Sequence, residues 1–249
     1  GLRSITDECF VALTRSSYST NIKERKDHSI AIVDNEGRLV VQAAMTIPLH
    51  IASMRGLMEC ILDKFEGDIN EGDVFVANDP HTAGGTHLPD INYAMPIFVD
   101  GEIVAFSCNI AHHADIGGMV PGSMAGGMSE IYQEGLRIPV VKLFRKGELQ
   151  QDIMDILLLN VRVPNERRGD HNAQIAACRL GARRLLEVIE ENGLKNVLSA
   201  FDQIISRTAR RMRLAISEIP SGSYSFEDVM DGDGIDTTNI PICLTISVS

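Results

Sequence analysis

Residues 91–110 read Ile-Asn-Tyr-Ala-Met-Pro-Ile-Phe-Val, then Asp100-Gly101, then Glu-Ile-Val-Ala-Phe-Ser-Cys-Asn-Ile. Two β-rich runs flank an Asp-Gly pair, the strongest short hairpin signal in the chain, because a tight two-residue turn needs positive φ at its centre. Such a turn opposes Val99 to Glu102. Counting outward opposes Asp90 to Ala111, Pro89 to His112 and His87 to Ala114. In that register His87 and His112 share one face, and Asp90 points to the other unless Pro89 breaks the strand. Met95-Pro96 marks a place where a bulge would slip the count.

The hairpin gathers two His-x-x-Asp patterns at its open end, His87-Leu88-Pro89-Asp90 and His112-His113-Ala114-Asp115. Cβ atoms directly opposite on such a ribbon lie about 5 Å apart, and diagonal ones about 7–8 Å. Imidazole nitrogens and carboxylate oxygens on a rigid backbone suit zinc, manganese or iron. Two histidines with one or two carboxylates leave coordination positions open for a reactant, which points to catalysis more than to structure. A single His-x-x-Asp more often caps a turn. Two of them on one ribbon end balance a ligand set against ordinary loop polar groups. Asp27, closing the charged run Lys23–Asp27, is either a further carboxylate for the same site or part of a solvated segment. Glu134, in Tyr132-Gln133-Glu134-Gly135, is either a general base or a surface turn residue.

Further out, Leu2–Tyr18 has helical spacing, and His28–Val33 and Leu39–Ala44 are strands around the turn Asp34–Gly37. Pro48 opens a helix to about Phe65. Val74–Ala77 and Leu136–Phe144 read as strands, and Ile153–Leu159 as an apolar helix. Ile175, Cys178, Ala182, Leu185 and Ile189 form an amphipathic stripe ended by Asn192-Gly193. Leu194, Val197, Phe201, Ile204 and Met212 continue the spacing, so the two read as an antiparallel helical hairpin. Tyr224–Met230 and Ile240–Val248 are strands. The fold class is α+β, mostly antiparallel strands and hairpins with an amphipathic helical hairpin in the last third. Residues 20–150 form a β-rich region with the candidate site, 151–218 a helical region, and 219–249 the start of a further β region. A final strand without a partner and a first residue that is Gly suggest the N-terminal part of a longer polypeptide.

The 249 residues carry 23 Lys+Arg against 34 Asp+Glu, a formal charge of −11. That surface repels phosphate backbones and anionic lipid, so nucleic acid and membranes are poor partners. The longest apolar run, Ile103–Ala111, is too short to span a bilayer and contains Ser107, Cys108 and Asn109. Five scattered cysteines without a Cys-x-x-Cys argue for a reducing, cytoplasmic setting. P-loop, dinucleotide-binding and nucleophile-elbow motifs are missing. The four arginines from Arg207 to Arg213 read as an interface or ion-pair face, and Asp231–Asp236 as a turn, since a calcium loop needs a downstream Glu.

Several blocks resemble the hydantoinase B family. They are Asn21–Asp27, Asn78–Asp90 (NDPHTAGGTHLPD), Ala111–Gly118 (AHHADIGG), Pro121–Ser123, Gln133–Gly135, Asn160–Pro164, Gly169-Asp170 and Ala173-Gln174. The family includes N-methylhydantoinase B subunits, the matching half of 5-oxoprolinase, and subunits of acetone and acetophenone carboxylases. The resemblance covers nearly the whole chain. It implies a divalent metal (zinc, manganese or iron) on His87, Asp90 and His112, with Asp27 a further ligand. His113 or Asp115 would tune the ligands or move a proton, and Glu134 would be an acid/base group. It also implies ATP on a partner A-type subunit that phosphorylates a substrate carbonyl oxygen, consistent with the missing P-loop. The expected function is a subunit of a hetero-oligomeric ATP-dependent amidohydrolase acting on cyclic amides or imides. The alternatives are a subunit of an ATP-dependent ketone carboxylase and a non-catalytic scaffold. His81, where the family pattern suggests an aromatic residue such as Tyr, departs from it.

Overall fold

A computed structural model describes residues 1–249. In chain order the elements are α1 (Leu2–Ser16), α2 (Thr20–Lys23), β1 (His28–Asp34), β2 (Leu39–Gln42), α3 (Pro48–Lys64), β3 (Val74–Ala77), β4 (Asp90–Val99) and β5 (Glu102–His112). They continue with α4 (Ile131–Glu134), β6 (Val141–Arg145), β7 (Glu148–Leu149), α5 (Gln151–Leu159), α6 (Pro164–Asn192), α7 (Leu194–Ser217), β8 (Gly222–Gly232) and β9 (Thr238–Val248). This is an α+β fold. Seven strands form one antiparallel sheet in the order β2-β1-β5-β4-β3-β6-β7, and β8-β9 form a separate ribbon. No helix is long and apolar enough to cross a membrane.

Helices cover both faces of the large sheet, which is why β1 is buried along its whole length instead of alternating. On one face, Met54, Leu57, Met58 and Ile61 of α3 pack on Ala31, Val33, Phe75, Ala94, Phe106, Cys108 and Ile110. On the other, Ile5, Cys9 and Leu13 of α1 and Ala177, Ala182 and Leu185 of α6 pack on Ile30 and Ile32. Further along that face, Met154 and Leu157 of α5 and Ile175 and Cys178 of α6 meet Val76, Ile91 and Tyr93. Gly193, at φ 81°, ends α6 and turns the chain into α7. The first half of α7 closes over the same core through Val197 and Phe201, while its second half and the β8-β9 ribbon stand exposed.

Three differences from the expected pattern have physical causes. Helix α6 begins at Pro164, eleven residues before the apolar stripe starts at Ile175. Its first turns bury polar side chains (Arg167, Asp170, His171 and Gln174), so hydropathy does not mark them. Regular strand does not begin until Val141, five residues into the expected run: Asn78 and Ile138 are joined by a backbone bond and a side-chain bond instead of a ladder. The third is decisive for the site. The hairpin keeps Val99 opposite Glu102, but Ile97 pairs with Ala105 while Phe98 pairs with Ile103. Val104 is the extra residue of a β-bulge, two positions beyond Met95-Pro96 on the partner strand. The bulge shifts the count by one and places Asp90 directly opposite His112 instead of opposite Ala111.

Candidate metal centre

Opposed residues share a face, so the bulge turns Asp90 and His112 to the side of the sheet covered by α3. The 78–89 loop brings His87 to the same place. It runs directly on α3, where a Cβ on Gly84 would lie 2.4 Å from the Gly56 Cα, so glycines are required for the approach. His87 Nε2 lies 3.2 Å from Asp90 Oδ2, and the His87 and His112 rings are 4.9 Å apart at their centroids. The turn after α2 adds Asp27. Its backbone carbonyl accepts the His112 N–H at 3.0 Å.

His50 was not among the residues expected at the site. It sits in the first turn of α3, where a lone histidine after Pro48 gives no signal. Its Nδ1 is 2.9 Å from Ser29 Oγ, which turns Nε2 to within 3.6 Å of Asp27 Oδ1 and 3.5 Å of Asp90 Oδ2. Two triads of potential ligands therefore share Asp90: His87, Asp90 and His112, and Asp27, His50 and Asp90. Thr86 Oγ1 also donates to Asp90 Oδ2, and Asn21 pairs with His112 Nδ1. Met124 Sδ lies 3.2 Å from His112 Nε2.

The donor set fits a cation. Three imidazoles and two carboxylates suit a borderline divalent metal. Asp90 is 3% exposed, yet its Oδ1 has no hydrogen-bond partner. A buried carboxylate oxygen left bare is costly, so it calls for a ligand of its own. Ser29 on His50 and Asn21 on His112 occupy the ring nitrogens opposite the cluster, the arrangement that orients metal-binding histidines.

Burial favours a neutral Asp90, but hydrogen bonds from His50 and His87 and the charge of His87 outweigh it and hold the carboxyl well below the usual range. Burial opposes charge on His87, but Asp90, Glu134 and Asp27 overcome it and raise its pKa. Burial lowers the pKa of His112. Glu134 Oε1 is 3.7 Å from His87 Nδ1, at the edge of the cluster, and burial raises its pKa.

His113 and Asp115 lie elsewhere, which corrects their expected place at the cluster. His113 follows His112 in an extended segment and so points to the opposite face. There its Nε2 bonds Gln174 Oε1 at 2.7 Å, its ring centroid lies 4.7 Å from that of His171 at a tilt, and burial drives its pKa down to about 3. Asp115 is a loop anchor, accepting from Arg162 Nη1 at 2.6 Å and from the backbone N–H groups of Gly117, Gly122 and Arg162.

A helix-covered antiparallel sheet with histidine and aspartate side chains converging where a hairpin opens defines an α+β protein with a candidate ligand set at a sheet end. Comparison with known proteins narrows this class. The chain belongs to the hydantoinase B/oxoprolinase family, whose description "Hydantoinase B/oxoprolinase" matches residues 1–249. It is 36% identical over 239 residues to a protein of Pseudomonas sp. strain NS671 named for the B-type component of a D-/L-hydantoinase, covering 93% of this chain and 40% of that one. Its fold matches the crystal structure of ATP-dependent caprolactamase from Pseudomonas jessenii with a TM-score of 0.88 and 32% identity, covering 99% of this chain and 43% of that one. A nucleotide-free acetone carboxylase structure matches with a TM-score of 0.79 over 98% of this chain and 33% of that one, at 19% identity, which shows the fold alone. The chain thus spans about two fifths of the length of the hydantoinase component and the caprolactamase chain.

Proposed function

We propose that this chain is part of a subunit of an ATP-dependent hydrolase of cyclic amides or imides. It would hold a divalent cation at Asp27, His50, His87, Asp90 and His112 and receive a substrate activated by ATP on a partner subunit. One observation carries the reading: two triads of ligand-type side chains share Asp90, whose Oδ2 faces His50 and His87 and whose buried Oδ1 has no partner in the chain. The relatives' names support the reaction class, since one is a hydantoinase component and another an ATP-dependent caprolactamase.

When bound, a divalent cation supplies Lewis-acid polarisation of a carbonyl or phosphoryl oxygen. The residues do the rest. Asp90 supplies buried negative charge and pins His50 and His87. Ser29 and Asn21 hold His50 and His112 in rotation. Glu134, with its raised pKa beside His87, is placed to hold and release a proton at Oε1. An open cavity of about 570 Å³ borders the Glu134 segment at Tyr132 and Gly135, with Arg137 and Asp79 on its wall, and offers room for a small ring.

The test combines metal analysis with activity. The purified chain should retain zinc, manganese or iron, and His87→Ala and His112→Ala should lose it. Reconstituted with its ATP-binding partner, the complex should hydrolyse hydantoins, 5-oxoproline or caprolactam when ATP is present. Bicarbonate-dependent carboxylation of ketones without amide hydrolysis would replace this reading with the carboxylase one. Full activity from both alanine variants would leave the scaffold reading.

A further inference from the structure

The Gly169-Asp170 pair of α6 lies on the opposite side of the sheet from the cluster and supplies none of its ligands. Asp170 is fully buried. Its Oδ1 accepts the backbone N–H groups of Tyr18 at 2.7 Å and Ser19 at 3.0 Å, and its Oδ2 accepts the Ser19 hydroxyl at 2.6 Å. Gly169 makes room for this, because a Cβ there would lie 2.4 Å from the Tyr18 ring. The corner between α1 and α2 is thus clamped onto α6, 151 residues away along the chain.

That corner leads straight to the cluster. Ser19 Oγ also accepts the backbone N–H of Ala114 at 2.9 Å, two residues past His112. Ser19 immediately precedes α2, whose Asn21 pairs with His112 Nδ1. The Asn21 carbonyl accepts the Asp27 N–H at 2.9 Å, and the Asp27 carbonyl accepts the His112 N–H at 3.0 Å. Asp170, Ser19, Asn21, Asp27 and His112 are therefore joined by an unbroken series of hydrogen bonds and one short helix.

We infer that Asp170 and Ser19 are positioning residues for the metal centre, acting through Asn21 to set His112 and Asp27. Outer partners of this kind orient ligands without touching the ion, and losing one typically weakens metal binding about 10- to 100-fold. The inference rests on reading the cluster as a metal centre, and the experiment separates the two claims.

Manganese(II) is titrated into the full chain and into Ser19→Ala, Ser19→Thr, Asp170→Asn and Asn21→Ala. Affinity is measured by chelator competition, the ligand environment by electron paramagnetic resonance, and thermal stability without metal. Ser19→Ala and Asn21→Ala should bind manganese about 10- to 100-fold more weakly with an altered spectrum, and Ser19→Thr, which keeps the hydroxyl, should restore both. Unchanged affinity and spectrum in Ser19→Ala and Asn21→Ala overturn the inference, whatever happens to metal-free stability, since they leave only a structural clamp. If Asp170→Asn fails to fold, the Ser19 and Asn21 variants still decide. A wild-type chain that binds no manganese, zinc or iron fails at the earlier claim and removes this one with it.

Discussion

His112 and His113 are neighbours in sequence and opposites in circumstance. His112 faces α3 among Asp27, His50, His87 and Asp90, where one buried carboxylate oxygen stays bare. His113 faces α6 among Gln174, His171 and Tyr93. There Tyr93 Oη bonds His171 Nδ1 at 2.8 Å, and Gln174 Nε2 donates to the Ile91 carbonyl and to Asn109 Oδ1. Both regions bury histidines and hydrogen-bonding groups against the same strands. The α6 side makes a polar seam that ties helix to sheet, with His113 Nδ1 and Arg167 Nε left without partners. The α3 side collects negative charge and leaves valence open. Residue type does not separate a site from a seam; the kind of atom left open does, a carboxylate oxygen among further ligand-type side chains on one side and nitrogens on the other.

The sharpest way to break the contrast is to remove Asp90. Asp90→Ala should lower metal affinity at least about 100-fold, past the range of an outer partner, and abolish ATP-dependent turnover; metal retained at wild-type level would make the α3 side another seam. Glu134→Gln should keep the metal and lower kcat about 100-fold, measured in the reconstituted complex; an unaltered kcat removes Glu134 from proton handling. On the α6 side, Gln174→Ala strands His113 and Asn109 and should cost about 1–3 kcal/mol per orphaned group in denaturant unfolding, with metal affinity unchanged. Metal lost without loss of stability would show that the two faces are not separate.

The pH dependence sharpens the same contrast. Burial, reinforced by His113 and by Arg167 and Arg168 and opposed by Asp170, holds His171 well below its ordinary 6.5. The unfolded chain then binds the extra proton first, so stability is full above about pH 6.5 and falls below it, by up to about 1.4 kcal/mol per pH unit for this group. In metal-free chain, His171→Gln should flatten the stability profile between pH 6.5 and 5 by that share; an unchanged slope would mean that His171 takes up its proton without unfolding. The smallest effect belongs to Met124, whose thioether touches His112 but whose side chain is mostly exposed. Met124→Leu keeps the volume and should change metal affinity by no more than about threefold; a larger loss would make the sulfur a ligand.

Much of this is legible in the residues. Asp100-Gly101 announces its turn, Val99 meets Glu102 as counted, and the paired His-x-x-Asp blocks draw attention to His87, Asp90 and His112. Other parts are not. Met95-Pro96 marks where the count can slip, but that the extra residue falls at Val104 is recorded by no two-residue pattern. His50 is one side chain in the first turn of an amphipathic helix, brought in by the packing of α3 on the sheet. The polar start of α6 hides a buried face because its partners, Tyr93, Ser19 and His113, are distant in sequence.

The extra residue in β5 gives the hairpin something like a reading frame. Strand faces alternate with a period of two, so a single-residue insertion or deletion between Gly101 and His112 that the bulge at Val104 does not absorb would turn His112 to the α6 side and His113 to the α3 side. Away from the bulge, length changes in β5 are tolerable only in pairs, whereas the Gly- and Met-rich loop at 117–128, beyond the last strand residue, carries no such parity. Divergence among relatives should accordingly collect in that loop and spare the spacing of the ribbon.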